Sequence, residues 1–203
     1  MRKILTLSCC LALPTASFAL PPDESPEIEL FISGSSAQDG SLENLMRLVS
    51  GGDDTPNICQ DGTLDIYRGT IDGTRKRVYY CLTSDKLRGV PAGKRLAVHK
   101  SSGGSGEGVD PVANARPIRF IDLDNLPDND ACRQPSRVLF TGNLAAYSNR
   151  RECGGVGKLA VPQVGISDID PELLGQDAEG LSLYSQSQLV WGLPVSKNFR
   201  NAL

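Results

Sequence analysis

The sequence predicts an α/β fold, a mainly parallel sheet with helices on both faces, and three observations lead there. Apolar runs of strand length alternate with segments of helical periodicity, the arrangement that builds parallel sheets. Three of the runs end in a Ser-containing turn, at Ser35-Ser36, at Ser101 to Ser105 and at Ser167-Asp168. The longest such stretch, His99-Lys100-Ser101-Ser102-Gly103-Gly104-Ser105-Gly106-Glu107-Gly108-Val109, follows the apolar Leu96-Ala97-Val98 and precedes a segment able to start a helix, Val109 to Asn114. Strand, Gly/Ser loop and helix start is the order that gathers backbone N–H groups around an anion. A flexible Gly/Ser linker is the competing reading of the same residues.

The chain opens Met1-Arg2-Lys3, runs apolar from Ile4 to Leu13 and reaches Ser17-Phe18-Ala19 through small residues. This pattern predicts a secretory signal peptide over residues 1–19, cleaved after Ala19. Ser8-Cys9 would suit a lipidated cysteine, but the apolar run before it is too short, so a cleaved, soluble product is expected. Residues 20–203 then form one domain, long enough for a real core. The formal net charge is −3, and losing Arg2 and Lys3 makes it more negative. Arg75-Lys76-Arg77 is the one basic cluster that stands out, so nucleic acid is excluded as a partner. Together these features predict a periplasmic or secreted protein.

Taken in order, Leu20 to Glu27 is a Pro-rich, acidic lead-in arm, and Ile28 to Ser33 is a strand in which Ile28, Leu30 and Ile32 share a face. Leu42, Leu45, Met46 and Val49 recur at helical spacing, with Ser41 as N-cap and Gly51-Gly52 as the stop. Thr63 to Thr70 and Lys76 to Thr83 form a hairpin turning at Asp72-Gly73. Arg95 to His99 is the strand that feeds the Gly/Ser loop, and Pro117 to Leu123 is a further strand. Asp124 to Arg137 reads as an inserted loop, and Val138 to Arg151 stays ambiguous. Ala160 to Ile166 is apolar and ends in the Ser167-Asp168 turn, after which Pro171 opens a helical turn. Gln188 to Val195 is a last strand, and Asn198 to Leu203 the first turn of a helix.

Beyond the leader the chain carries Cys59, Cys81, Cys132 and Cys153. Export makes disulfides the default, and three connectivities are possible. Cys59–Cys81 and Cys132–Cys153 are expected, because each closes a loop within one local unit. Zinc is disfavoured: no C-x-x-C spacing occurs and His99 is the sole histidine.

Gly34-Ser35-Ser36-Ala37, then Ser101-Ser102-Gly103-Gly104, then Gly165-Ile166-Ser167-Asp168 resembles the N-terminal lobe of the phosphate-type periplasmic substrate-binding proteins of ABC transporters, a type II periplasmic-binding-protein-like lobe. The resemblance implies a ligand site at Ser35, Ser36, Ser101, Ser102 and Asp168. The serines would supply hydroxyl and backbone donors, and Asp168 would accept the proton of a protonated oxyanion. It implies a small phosphate-like oxyanion as ligand, an ABC transporter membrane component as partner, and no cofactor. Val190-Trp191-Gly192-Leu193-Pro194-Val195 resembles the crossover toward a second lobe. Two departures stand out. The hairpin with Cys59 and Cys81, and Asn114 to Leu159, look like insertions. The sequence also stops at Leu203 without the second lobe, which in that family adds an Arg and further donors, so a truncated lobe is expected.

Neutral donors suit a dehydrated oxyanion because they bring no counter-charge, and a carboxylate among them repels fully ionised sulfate. The ordinary alternatives are a turn or cap role for Asp168, helix capping by Ser35 or Ser36, solvated positions for His99 and Lys100, and a core position for Trp191. The chain reads as a non-enzyme: Gly104-Ser105-Gly106 invites a nucleophile, but Glu107 stands where a Gly-x-Ser-x-Gly elbow needs glycine. A secreted interaction module, or a remnant that no longer binds solute, is the rival function; a Ser-dependent hydrolase is the weaker one.

Overall fold

The computed structural model describes residues 24–47, 58–60, 62–129, 132, 136–139, 147–155, 157–176 and 180–184. The expected signal peptide, the stretch with Trp191 expected as a crossover and the helical turn expected at Asn198 to Leu203 lie outside them.

The architecture is mixed α/β. A seven-stranded sheet runs in the order β6-β7-β2-β3-β4-β1-β9, and β5 pairs with β8 in a separate two-stranded sheet. The strands are β1 (Ile28–Ser35), β2 (Asp65–Ile71), β3 (Thr74–Leu82), β4 (Arg95–Gly103), β5 (Ile118–Ile121), β6 (Ser136–Leu139), β7 (Tyr147–Glu152), β8 (Gly157–Ala160) and β9 (Val164–Ile166). The helices are α1 (Asp39–Arg47) and α2 (Gly106–Ala113). Three adjacent pairs are parallel, β4/β1, β1/β9 and β2/β7; the other three are antiparallel.

The hairpin forms where the alternating residues and Asp72-Gly73 place it. Both turn residues have positive φ, 52° and 73°, as a tight hairpin turn demands. It is not peripheral, however. β2 and β3 form the middle of the main sheet, so the segment that looks like an insertion in sequence is structurally central. The run Ala160 to Ile166 divides, its start closing β8 and its end forming β9. Pro171–Leu174 forms a 3-10 turn capped by Asp170, whose side chain accepts from Glu172 N.

Alternation along the strands sorts the core. One face gathers Ile32, Ile66, Tyr79, Cys81, Leu96 and Val98, with Met46 and Leu42 of α1 packed among them. Tyr67, Val78, Tyr80 and Ala97 belong to the second cluster, which takes in Ile121, Leu123, Cys132 and Cys153. Burying such side chains is the main favourable term in folding, roughly 25 cal/mol per Å² of apolar surface. The two expected disulfides, Cys59–Cys81 and Cys132–Cys153, are present, one in each cluster. No helix among the described residues is long and apolar enough to cross a membrane.

Glycine fixes how α2 sits on the parallel end of the sheet. A Cβ on Gly34 would strike the Ile166 carbonyl and lie 2.6 Å from the Gly108 Cα, and one on Gly165 would strike the Gly108 carbonyl. Bare backbone on both sides lets α2 approach β1 and β9 at contact distance.

Candidate functional site

The C-terminal ends of β4, β1 and β9 lie side by side, with Ser102 opposite Gly34, Gly103 opposite Ser35, and Gly34 opposite Ile166. Asp168 follows β9 by two residues. The three Ser-containing segments thus meet at one edge of the sheet, beside the start of α2. Open parallel sheets bind ligands at such an edge.

The segment from His99 departs from expectation. The strand does not stop there: β4 stays extended through Gly103, leaving Gly104 and Ser105 to connect it to α2. Successive side chains on a strand point to opposite faces, so Ser101 and Ser102 diverge. His99 and Lys100, placed in solvent by the sequence reading, are fully buried. The strand carries them into the sheet, His99 against Phe31 and Phe120 and Lys100 against Asp39 of α1.

On the Ser101 face, register sets Ser33 of β1 and Lys76 of β3 on either side of Ser101. The Lys76 ammonium donates to Ser101 Oγ at 2.6 Å and lies 5.9 Å from the centre of the Phe120 ring. Burial pushes the Lys76 amine down from its ordinary range, against the pull of Glu107. Ser33 Oγ is buried and has no partner among the described residues. His99 stacks on Phe31 with ring centres 4.4 Å apart, and its Nε2 lies 3.1 Å from Glu29. Burial lowers the imidazole's pKa, while the hydrogen bond from His99, followed by Lys158, holds the Glu29 carboxyl at about 2.

On the Ser102 face, Lys100 acts as a clamp. Its ammonium donates to the carbonyls of Gly34 and Ser101 at 2.9 Å each and to that of Ser35 at 3.4 Å. It ties the end of β1 to the end of β4. Lys100, Arg77 and Arg68 stand directly opposite one another across β4, β3 and β2. Like charges in such a row repel. Helix α1 offsets them: Asp39 lies 3.4 Å from Arg77 and 3.5 Å from Lys100, and Glu43 reaches Arg68 at 2.7 Å and Arg150 at 3.2 Å.

The remaining site residues have local duties. Ser35 caps the 3-10 turn Ser36–Gln38 that leads into α1, its Oγ accepting from Ala37 N at 3.2 Å. The capping alternative therefore holds for Ser35. Ser41, expected as the cap, lies inside α1, because the 3-10 turn starts the helix two residues earlier. Ser36 is exposed. Asp168 accepts from the Ser105 hydroxyl, at the residue before α2. Ser102 Oγ is buried without a partner among the described residues. No group of three or more His, Cys, Asp or Glu suited to a metal ion occurs among them either.

Lys76 and Lys100 are the site residues that the sequence reading missed. Alternation carried on from Tyr80 and Val78 would have placed Lys76 inward, and an unbroken β4 would have done the same for Lys100.

Lys100 makes stability depend on pH. Burial pushes its ammonium down to about 8, against an ordinary 10.5 for the unfolded chain. Between those values the unfolded chain binds more protons, so stability rises with pH. Urea unfolding should show a gain of about 1 kcal/mol from pH 7 to pH 9, with Lys76 adding in the same direction. Lys100→Met should flatten the rise; an unchanged slope in that variant refutes the assignment.

No family model, no curated protein and no solved structure matches this chain.

Proposed function

We propose that this chain is an exported, periplasmic or secreted solute-binding-type protein that holds a phosphate-like oxyanion over the ends of β4 and β1. The observation that carries the reading is the meeting of the Ser35-Ser36 turn, the Ser101-Ser102 end of β4 and the Ser167-Asp168 turn at one edge of the sheet. On this reading α1 and α2 cover the two faces of a type II periplasmic-binding-protein-like lobe, and an ABC transporter membrane component is the corresponding partner.

Ser35 Oγ accepts a hydrogen bond within the protein and keeps its O–H to donate outward, and Ser102 Oγ, without a partner among the described residues, is a second hydroxyl donor at the end of β4. Asp168 spends one carboxylate oxygen on Ser105 and keeps the other for a proton carried by the ligand. A protonated phosphate satisfies that oxygen, whereas fully ionised sulfate is repelled.

The ligand stays open to water, and each exposed hydrogen bond contributes only about 0.5–1.5 kcal/mol net. Phosphate should therefore bind no tighter than about 100 µM, or roughly −5.5 kcal/mol. Amide shifts in an NMR titration with inorganic phosphate provide the measurement. Asp168→Asn should move the preference toward sulfate. Absence of any response in the millimolar range overturns the proposal and leaves an interaction module built on the same lobe.

A further inference from the structure

We propose that Arg75 is the cationic arm of the anion site, and that the anion is held on the Ser102 face of the sheet. This rests on the oxyanion reading and adds to it a charged residue from the disulfide-bearing hairpin, a part of the chain to which that reading gives no role.

The two adjacent serines of β4 are not equivalent. Ser101 Oγ already accepts a hydrogen bond from the Lys76 ammonium on its own face. Ser102, 8% exposed, keeps its Oγ buried without a hydrogen-bond partner among the described residues. Buried polar groups are nearly always paired, so an unpaired hydroxyl at a strand end marks a place where a ligand would complete the bonding. The register of β3 on β4 sets Arg75 directly opposite Ser102. Side chains so opposed start within about 5.5 Å of each other at Cβ, well inside the reach of an arginine.

Arg75 differs from the basic residues of the neighbouring row on the same face. Arg77, Arg68 and Lys100 are engaged by Asp39 and Glu43 of α1. Arg75 is exposed and takes part in no hydrogen bond or ion pair among the described residues. Its guanidinium fork fits two oxygens of a phosphate, sulfate or carboxylate group at once. An anion held by that fork lies beside Ser102, whose hydroxyl then donates to a third oxygen. The buried Lys100 ammonium and Arg77, on the same face, add positive potential with no contact of their own. Asp39 sits between those two cations and limits the excess. The ligand class that fits is a small oxyanion with at least three acceptor oxygens, which separates it from a simple halide.

The test is titration of the purified chain with inorganic phosphate and, separately, with chloride, followed by amide shifts. Variants are Arg75→Gln, Arg75→Lys, Ser102→Ala, the double change Arg75→Gln with Ser102→Ala, and Arg88→Ala as an exposed arginine elsewhere. Arg75→Gln should weaken phosphate binding about tenfold and reduce its salt dependence. Arg75→Lys should restore the salt dependence but only part of the affinity. The double change should cost less than the sum of its parts, because both side chains serve one ligand. Arg88→Ala should change nothing. Wild-type binding left intact by Arg75→Gln overturns this inference while sparing the oxyanion reading, and so does equal weakening by Arg88→Ala. A wild-type chain that does not respond to phosphate overturns both.

Discussion

Gly34→Ala should cost about 4 kcal/mol of folding stability, the sum of overpacking and a strained backbone. Gly34 has φ of +116°, a conformation that residues with a side chain rarely adopt. The new methyl would meet backbone on both sides, the Ile166 carbonyl of β9 and the Gly108 Cα of α2. Neither is the tip of a flexible side chain that could swing away, so β9 or α2 must shift. Gly165→Ala should behave similarly through the Gly108 carbonyl, without the backbone strain. Gly40→Ala is the matched control: Gly40 lies in α1, has nothing within 4 Å of its would-be Cβ, and should gain up to about 1 kcal/mol from better helix propensity. Urea unfolding of the three variants gives the comparison. A Gly34→Ala protein as stable as wild type would show that α2 is not seated on β1 and β9 as described.

The same glycines show how far the sequence could be read. Gly34 and Gly165 each stand next to a Ser-containing turn, and that pattern was enough to expect strand ends meeting there. What it could not disclose was the reason for the glycines, because a close approach between α2 and β9 is a tertiary fact with no local signature. The hairpin was legible for the opposite reason: Asp72-Gly73 and the alternation around it are local chemistry. Its place in the middle of the sheet was not, since pairing partners far along the chain leave no periodicity to read. The misplacement of His99 and Lys100 has a third cause. A Gly/Ser-rich stretch suggests a loop, yet β4 continues through Ser101 and Ser102 because neighbours on both sides complete its ladder. Tertiary pairing overrides local propensity here, and it turns two serines expected to act together into residues on opposite faces. Lys100 is tolerated inside because three carbonyls and Asp39 meet its ammonium, a compensation visible only once the fold is assembled.

Reduction of both disulfides should remove about 6 kcal/mol, roughly half of the stability a domain of this size ordinarily has. The bridges close loops with sequence separations of 22 and 21 residues, and each such closure is worth about 3 kcal/mol through the entropy it takes from the unfolded chain. The folded side adds to this. Cys59 and Cys81 are both buried in the cluster with Ile66, Tyr79 and Leu96, and their bridge anchors residues 58–60 beside the end of β3, where Cys59 also pairs with Thr83. Cys153 donates its N–H to the Arg68 carbonyl, and Arg151 donates to the Cys132 carbonyl at 3.3 Å, so the second bridge joins segments already in contact with β2 and β7. The two bridges lie in different clusters, and their losses should therefore add. Cys59→Ala with Cys81→Ala, and Cys132→Ala with Cys153→Ala, should each lower the urea midpoint by a similar amount, and the fourfold variant should lose cooperative unfolding near 37 °C. Peptide mapping without reductant should return the Cys59–Cys81 and Cys132–Cys153 fragments. A Cys59–Cys132 fragment would refute the pairing. A reduced chain that still unfolds cooperatively at the wild-type midpoint would mean that the two apolar clusters hold the sheet together without help.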